Sequence, residues 1–208
     1  MKRDQFLFLV GGLAFGILIG LGSYHAIHST PALDPTLPDA GARQTPRAPA
    51  PTDDPNAAGG APMVARVNEL KRLLQEKPDD VRVLRALADI HYDAAMWKAA
   101  AGYYERAAEL EPNADVLTDL GVCYRGMGEF DRALESFARA FELDPGHWQS
   151  MYNTVIVAAQ DVGRFDLAER ALAAMAAIDP PPPELDPARF EQLRESVAAL
   201  ARAAGQPS

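Results

Sequence analysis

From Met63 to Ala204 the chain repeats apolar stripes at helical spacing, interrupted at regular intervals by glycine and proline. The clearest stretch runs from Ala114 to Pro145. Leu117, Leu120 and Tyr124 share one face, a break follows at Gly126 and Gly128, and Phe130, Ala133, Phe137 and Ala140 share the next face up to Pro145. This pattern predicts two antiparallel helices. Gly121 and Ala133 are expected at their crossing, because bulkier side chains there push the axes apart. Similar units flank it: Pro78, Pro112, Pro145 and Pro180 are separated by 34, 33 and 35 residues. Helices are predicted near Val81–Ala94, Lys98–Leu110, Asp115–Met127, Phe130–Leu143, Trp148–Val162 and Phe165–Ile178. A lone amphipathic helix over Met63–Lys77 precedes them, with Val64, Val67, Leu70, Leu73 and Leu74 on its apolar face. After Pro180–Pro183, which cannot continue a helix, Asp186-Pro187 starts a last helix that runs to about Ala204.

The repeating unit resembles the tetratricopeptide repeat, a helix–turn–helix unit with a period near 34 residues. The first unit carries Leu84, Leu87, Ala88, His91, Trp97, Ala100, Tyr104, Ala107 and Pro112. It departs from the family pattern at Ala88, at His91 and in a turn without glycine. The third carries Tyr152, Val155, Ile156, Ala159, Gly163, Phe165, Ala168, Leu172, Met175 and Pro180. Ile156 and Met175 are larger than the pattern expects, so a wider or shifted crossing is predicted there. The resemblance implies an all-α, right-handed solenoid of three repeats (79–112, 114–145 and 147–180) within a domain over 62–183. A leading half-repeat opens it, and a capping helix within 184–208 closes it.

The N-terminus changes the picture. Phe6–Gly22 has no charged residue, and its apolar character persists to Ile27, a length of roughly 30 Å as a helix, matching a bilayer core. It exceeds the ~7–15 residues of a signal-peptide core, and no small-x-small cleavage site follows. A single transmembrane helix over 6–27 is therefore expected. Lys2 and Arg3 in a cytoplasmic tail (1–5) would place the rest across the membrane. In a bacterium the repeats would be periplasmic. Gly12, Gly16 and Gly20 form a doubled GxxxG on one helix face, which suits pairing of two such helices into a homodimer. Residues 28–61 are rich in Pro, Ala, Asp and Gly with almost no large apolar residue. They are expected to form a disordered linker.

Charge and chemistry narrow the function mainly by exclusion. The net charge is −9, with no basic stripe to neutralise phosphates, so nucleic acid is not an expected partner. One cysteine permits no internal disulfide. Cys123 reads as a small buried hydrophobe, His91 as core packing, and His147 as a loop residue without companions. His25 and His28 read as a polar membrane edge, so no metal site is expected. The sequence contains no CxxCH, P-loop, GxSxG or HExxH, and no cofactor or enzymatic activity is expected.

Partner binding is what the resemblance implies. In this repeat family the first helix of each pair lines a groove. Carried over, the groove comprises Arg82, Arg85, Asp89 and Tyr92, then Asp119, Val122 and Arg125, then Asn153, Val157 and Gln160. An extended or terminal segment of another protein is the expected ligand, held by charge-assisted bonds from the arginines with Tyr92 as aromatic anchor. The half-repeat, the Lys77–Asp80 junction and the membrane anchor together look like the repeat subunits of c-type cytochrome maturation. An accessory or chaperone subunit of a secretion translocon, or a scaffold for pilus or secretion-complex assembly, share the same layout.

Overall fold

A computed structural model describes residues 60–205. The expected membrane span with Gly12, Gly16 and Gly20, and the linker up to residue 59, lie outside the described residues. The described part is all-α: α1 (Gly60–Glu76), α2 (Val81–Asp93), α3 (Trp97–Leu110), α4 (Ala114–Gly126), α5 (Phe130–Leu143), α6 (Trp148–Ile156), α7 (Phe165–Ala176) and α8 (Pro187–Ala203). α6 continues into a π-helical turn, Val157–Asp161. Among the described residues no helix is long and apolar enough to cross a membrane. The pairs α2/α3, α4/α5 and α6/α7 stack in sequence, each second helix packing on the first helix of the next pair.

Local chemistry sets the boundaries. Asp80 caps α2 by accepting from the Arg82 and Val83 amides at 3.1 and 3.4 Å. Asn113 caps α4 through the Val116 amide at 3.2 Å, and Asp186 caps α8 through the Ala188 amide at 2.8 Å with Pro187 in the first turn. The three intra-pair turns share a left-handed residue: Gly128 at φ 76°, Gly163 at φ 69°, and Ala95 at φ 53°. The first unit therefore builds the same turn without glycine, at the strain a Cβ brings to that region.

The small residues sit at close approaches between helices. Gly126 is the last residue of α4, ahead of the left-handed Gly128. A Cβ there would sit 2.7 Å from the Trp97 ring of the preceding pair. Gly121 packs under Phe137, since a Cβ would meet Cε1 of that ring at 2.3 Å. Ala133 is fully buried, but the ring that fills the space beside Gly121 belongs to Phe137.

The shifted third unit has a concrete form. From cap to left-handed turn, Asp80 to Ala95 and Asn113 to Gly128 each advance 15 residues, whereas His147 to Gly163 advances 16. A π turn absorbs one extra residue in a helix; here the Val162 amide reaches back five residues to the Val157 carbonyl at 3.1 Å. Ile156 and Met175, the two residues larger than the family pattern expects, are both buried.

The two ends differ. α8 buries Leu193, Val197, Leu200 and Ala201 against α7 and the π turn. α1 packs on α2, and its Leu74 reaches the edge of the core.

Candidate functional site: the face of the first helices

The first helices α2, α4 and α6 carry the residues expected to meet a partner, and the fold divides them. α2 keeps its polar face toward solvent: Arg82 is exposed, while Arg85, Asp89 and Tyr92 are half-buried. The Tyr104 hydroxyl donates to Asp89 Oδ1 at 2.8 Å, tying that carboxylate to α3. The Tyr92 ring stands edge-on to Trp97 at 5.4 Å and to Tyr104 at 6.3 Å. Aromatic packing thus fixes its orientation while part of its surface stays open.

α4 and α6 pack directly on each other. Asp119, Val122, Asn153 and Val157 are buried, Val157 completely. They support the interface between pairs rather than an open face. Thr118 and Ser150 are also buried, and each satisfies its hydroxyl locally, by donating to the Ala114 and His147 carbonyls at 2.8 and 2.7 Å. Asn153 is 2% exposed, and its Nδ2 has no hydrogen-bond acceptor.

Arg125 is already paired. Its Nε donates to Asp161 Oδ2 at 2.6 Å, joining α4 to the π turn, with both side chains partly shielded from water. A ligand carboxylate would have to displace Asp161. Gln160, beside it, is exposed.

His147 has companions after all. It caps α6, with Nδ1 accepting from the Ser150 amide at 3.3 Å and Nε2 3.1 Å from Asp115 Oδ1 on α4. Because Nδ1 accepts, Nε2 carries the proton and donates to Asp115. His91 is buried as expected, against Tyr103 at 5.4 Å. Cys123 is fully buried; its thiol is pushed up to about 12 by burial and by the charge of Asp119. This suppresses the thiolate needed for nucleophilic chemistry. Among the described residues no three metal-ligating side chains come together.

The second helices carry features that sequence reasoning missed. The Tyr124 hydroxyl donates to Glu105 at 2.5 Å. Arg132 donates to Glu105 at 2.9 Å and lies 3.9 Å over the Tyr124 ring. Burial and the Glu105 contact raise the Tyr124 pKa. This cluster ties α3 to α5. A cleft of about 410 Å³ between α5 and α7 is lined by Leu134, Phe137, Phe141, Met151, Leu167 and Ala171. The exposure of Phe141 at its mouth is the signal that a helical-wheel reading of α5 could have caught.

The comparisons with known proteins agree with this geometry. Tetratricopeptide repeat profiles match residues 83–115 and 114–147. A curated relative, "Protein CTR9 homolog" of Arabidopsis thaliana, is 28% identical over 83 residues, which is 39% of this chain and 8% of that protein. This chain therefore spans less than a tenth of that relative's length. Among solved structures, "Crystal structure of MamA" superimposes with a TM-score of 0.55 at 16% identity, covering 69% of this chain and 89% of that one. "MamA MSR-1 C2" gives 0.48 at 22% identity, covering 65% and 68%. Two profile matches in consecutive register, lying on helix pairs that stack as repeats do, identify residues 83–147 as tetratricopeptide repeats.

Proposed function

We propose that this chain is a non-catalytic, membrane-anchored adaptor that holds an extended segment of a partner protein on the α2 face and the adjoining edge of α4. The observation that carries this reading is the contrast along the first helices. Arg82, Arg85, Asp89 and Tyr92 remain accessible on α2, while Asp119, Val122, Asn153 and Val157 on the later first helices are spent on packing. Arg82 and Arg85 supply charge-assisted donors for an acidic or carboxylate-bearing stretch, and Tyr92 supplies a pre-oriented aromatic surface. Arg125 joins only by exchanging Asp161 for the ligand. Asp89 disfavours a terminal carboxylate directly beside it, which points to an internal or side-chain acid.

The anchor is the apolar span 6–27, and the repeats lie on the extracytoplasmic side of the membrane, periplasmic in a bacterium, behind the linker 28–61. The pairing of a half-repeat with the Lys77–Asp80 junction supports c-type cytochrome assembly as the first process to test.

The test is site-specific photo-crosslinking of the full chain in native membranes, with the probe in place of Arg85 or of Arg139 on α5. A partner adduct at 85 and none at 139 is the expected result. The reverse pattern would move the site to the second helices. A C-terminal alkaline phosphatase fusion, expected to be active, checks the topology in the same strain.

A further inference from the structure

We propose that the cleft between α5 and α7 receives a short, basic amphipathic helix of a partner protein. The site lies on the second helices and is separate from the first-helix face proposed above. Arg139 lines the neighbouring gap and not this cleft, so the crosslinking test of that face does not probe it.

The cleft is one of two equivalent gaps. α3, α5 and α7 begin at Trp97, Phe130 and Phe165, so matching positions lie 33 and 35 residues apart. In that register the residues lining the α3/α5 gap have counterparts in the α5/α7 cleft. Glu105 becomes Ala138, Arg132 becomes Leu167, Ser136 becomes Ala171 and Arg139 becomes Ala174.

The first gap is filled from within. Arg132 bridges to Glu105 at 2.9 Å and lies over the Tyr124 ring. The second gap has lost all four of those polar side chains. It measures about 410 Å³ against about 260 Å³, and Phe141 stands at its mouth where the first gap has Ala108. The buried side chains of Leu134, Phe137 and Met151 line it as well. An apolar recess with an exposed aromatic ring at its rim is the kind of surface that a partner's hydrophobic anchors cover.

Two features select the occupant. The first is backbone chemistry. The walls are helices, whose amides and carbonyls bond within their own turns and offer no free edge to an extended chain. An incoming helix satisfies its own backbone and needs only an apolar stripe to enter. From Asp131 to Phe141 the α5 wall runs roughly 15 Å, the length of about three helical turns.

The second feature is charge. Asp131 and Glu135 stand exposed one turn apart on the α5 rim, and neither forms an ion pair among the described residues. The α7 rim carries Arg164 and Arg170, and Arg170 is already bridged to Asp166 at 3.0 Å. Two open carboxylates therefore face one open guanidinium, and the excess is acidic. A Lys or Arg beside the apolar stripe of the incoming helix pairs with α5.

The experiment uses the full chain in phosphatidylcholine nanodiscs, or in buffer if it proves soluble, since the cleft does not depend on the anchor. The probe is a displayed library of helix-forming peptides roughly four turns long. The library is first depleted on a plugged variant, Ala138→Glu with Leu167→Arg, which writes the Glu105–Arg132 bridge into the cleft. It is then selected on the unmodified chain. The expected peptides carry Leu, Met or Phe at helical spacing on one face and a net positive charge. The strongest of them, synthesised, should bind the plugged variant about tenfold more weakly, and Asp131→Asn with Glu135→Gln several-fold more weakly. Circular-dichroism melts check that the variants fold; if the plugged one does not, Phe141→Lys at the exposed mouth takes its place. No enriched peptide, or a consensus that is acidic or lacks the stripe, would overturn the proposal. Unchanged affinity for either folded variant would overturn it as well, the first by moving the site, the second by removing the base from the occupant.

Discussion

α1 and α8 have the same length, 17 residues each, and both are amphipathic, yet they are held very differently. α8 sets Leu193 and Val197 into the stack at 1% exposure, behind an Asp186 cap and a Pro187 start. α1 lays a comparable stripe against α2, and none of its residues from Met63 to Glu76 is fully buried. An apolar stripe therefore does not say how deeply a helix is buried. What decides is whether two neighbours flank it. In a linear stack an outermost helix has that only where it folds over a second element, as α8 does over α7 and the π turn, so an end needs a dedicated cap to bury its stripe.

The largest test of this contrast is a pair of truncations. Leu193→Ala should destabilise the fold by about 2–5 kcal/mol, because the cavity it leaves is enclosed. Leu70→Ala should stay within about 1 kcal/mol, because water already reaches that side chain. Urea melts followed by circular dichroism give both values, and equal losses would erase the distinction between the ends.

The tightly packed middle provides the next test. Gly121→Ala forces a Cβ into the Phe137 ring and should lower stability by about 1–3 kcal/mol. A neutral result would mean that the middle relaxes as readily as the open end.

The smallest effect is expected beside α1. Ala95 holds the left-handed turn that Gly128 and Gly163 hold elsewhere. Ala95→Gly should stabilise the first repeat by roughly 0.5–1 kcal/mol, the relief of the left-handed conformation less the entropy glycine adds. Slower amide hydrogen exchange in α2 and α3, with little change in α7, would place the gain where it is expected. Uniform slowing would argue against the separate stability of the two ends.

The helices from α1 to α8 were legible because repeat-spaced prolines and apolar stripes agree with each other, and their predicted boundaries fall within a few residues of the observed ones. The site was less legible. Thr118, Asp119, Ser150 and Asn153 are polar and sit at helix positions that read as solvated, but α4 and α6 pack through them. Thr118 and Ser150 can be buried because each hydroxyl finds a carbonyl within its own chain segment, which no hydropathy pattern reveals. The π turn was equally hidden. A 35-residue proline spacing shows that a residue has been added without showing where, and a one-residue slip in a helix turns later side chains by about 100°. Arg125 was read as a free cation because Asp161, 36 residues away, becomes its partner only once the third pair is stacked.

Cys123 carries a consequence of another kind. It is the single thiol of the chain, fully buried at the centre of the middle repeat. Any alkylating reagent must therefore wait for that repeat to open, and burial keeps the thiolate scarce until it does. The labelling rate of the native protein is thus a clock for the opening of the central helix pair, read without denaturant and without an engineered probe. A ligand seated on the neighbouring first helices would register on that clock as a delay, in proportion to how much it steadies the stack.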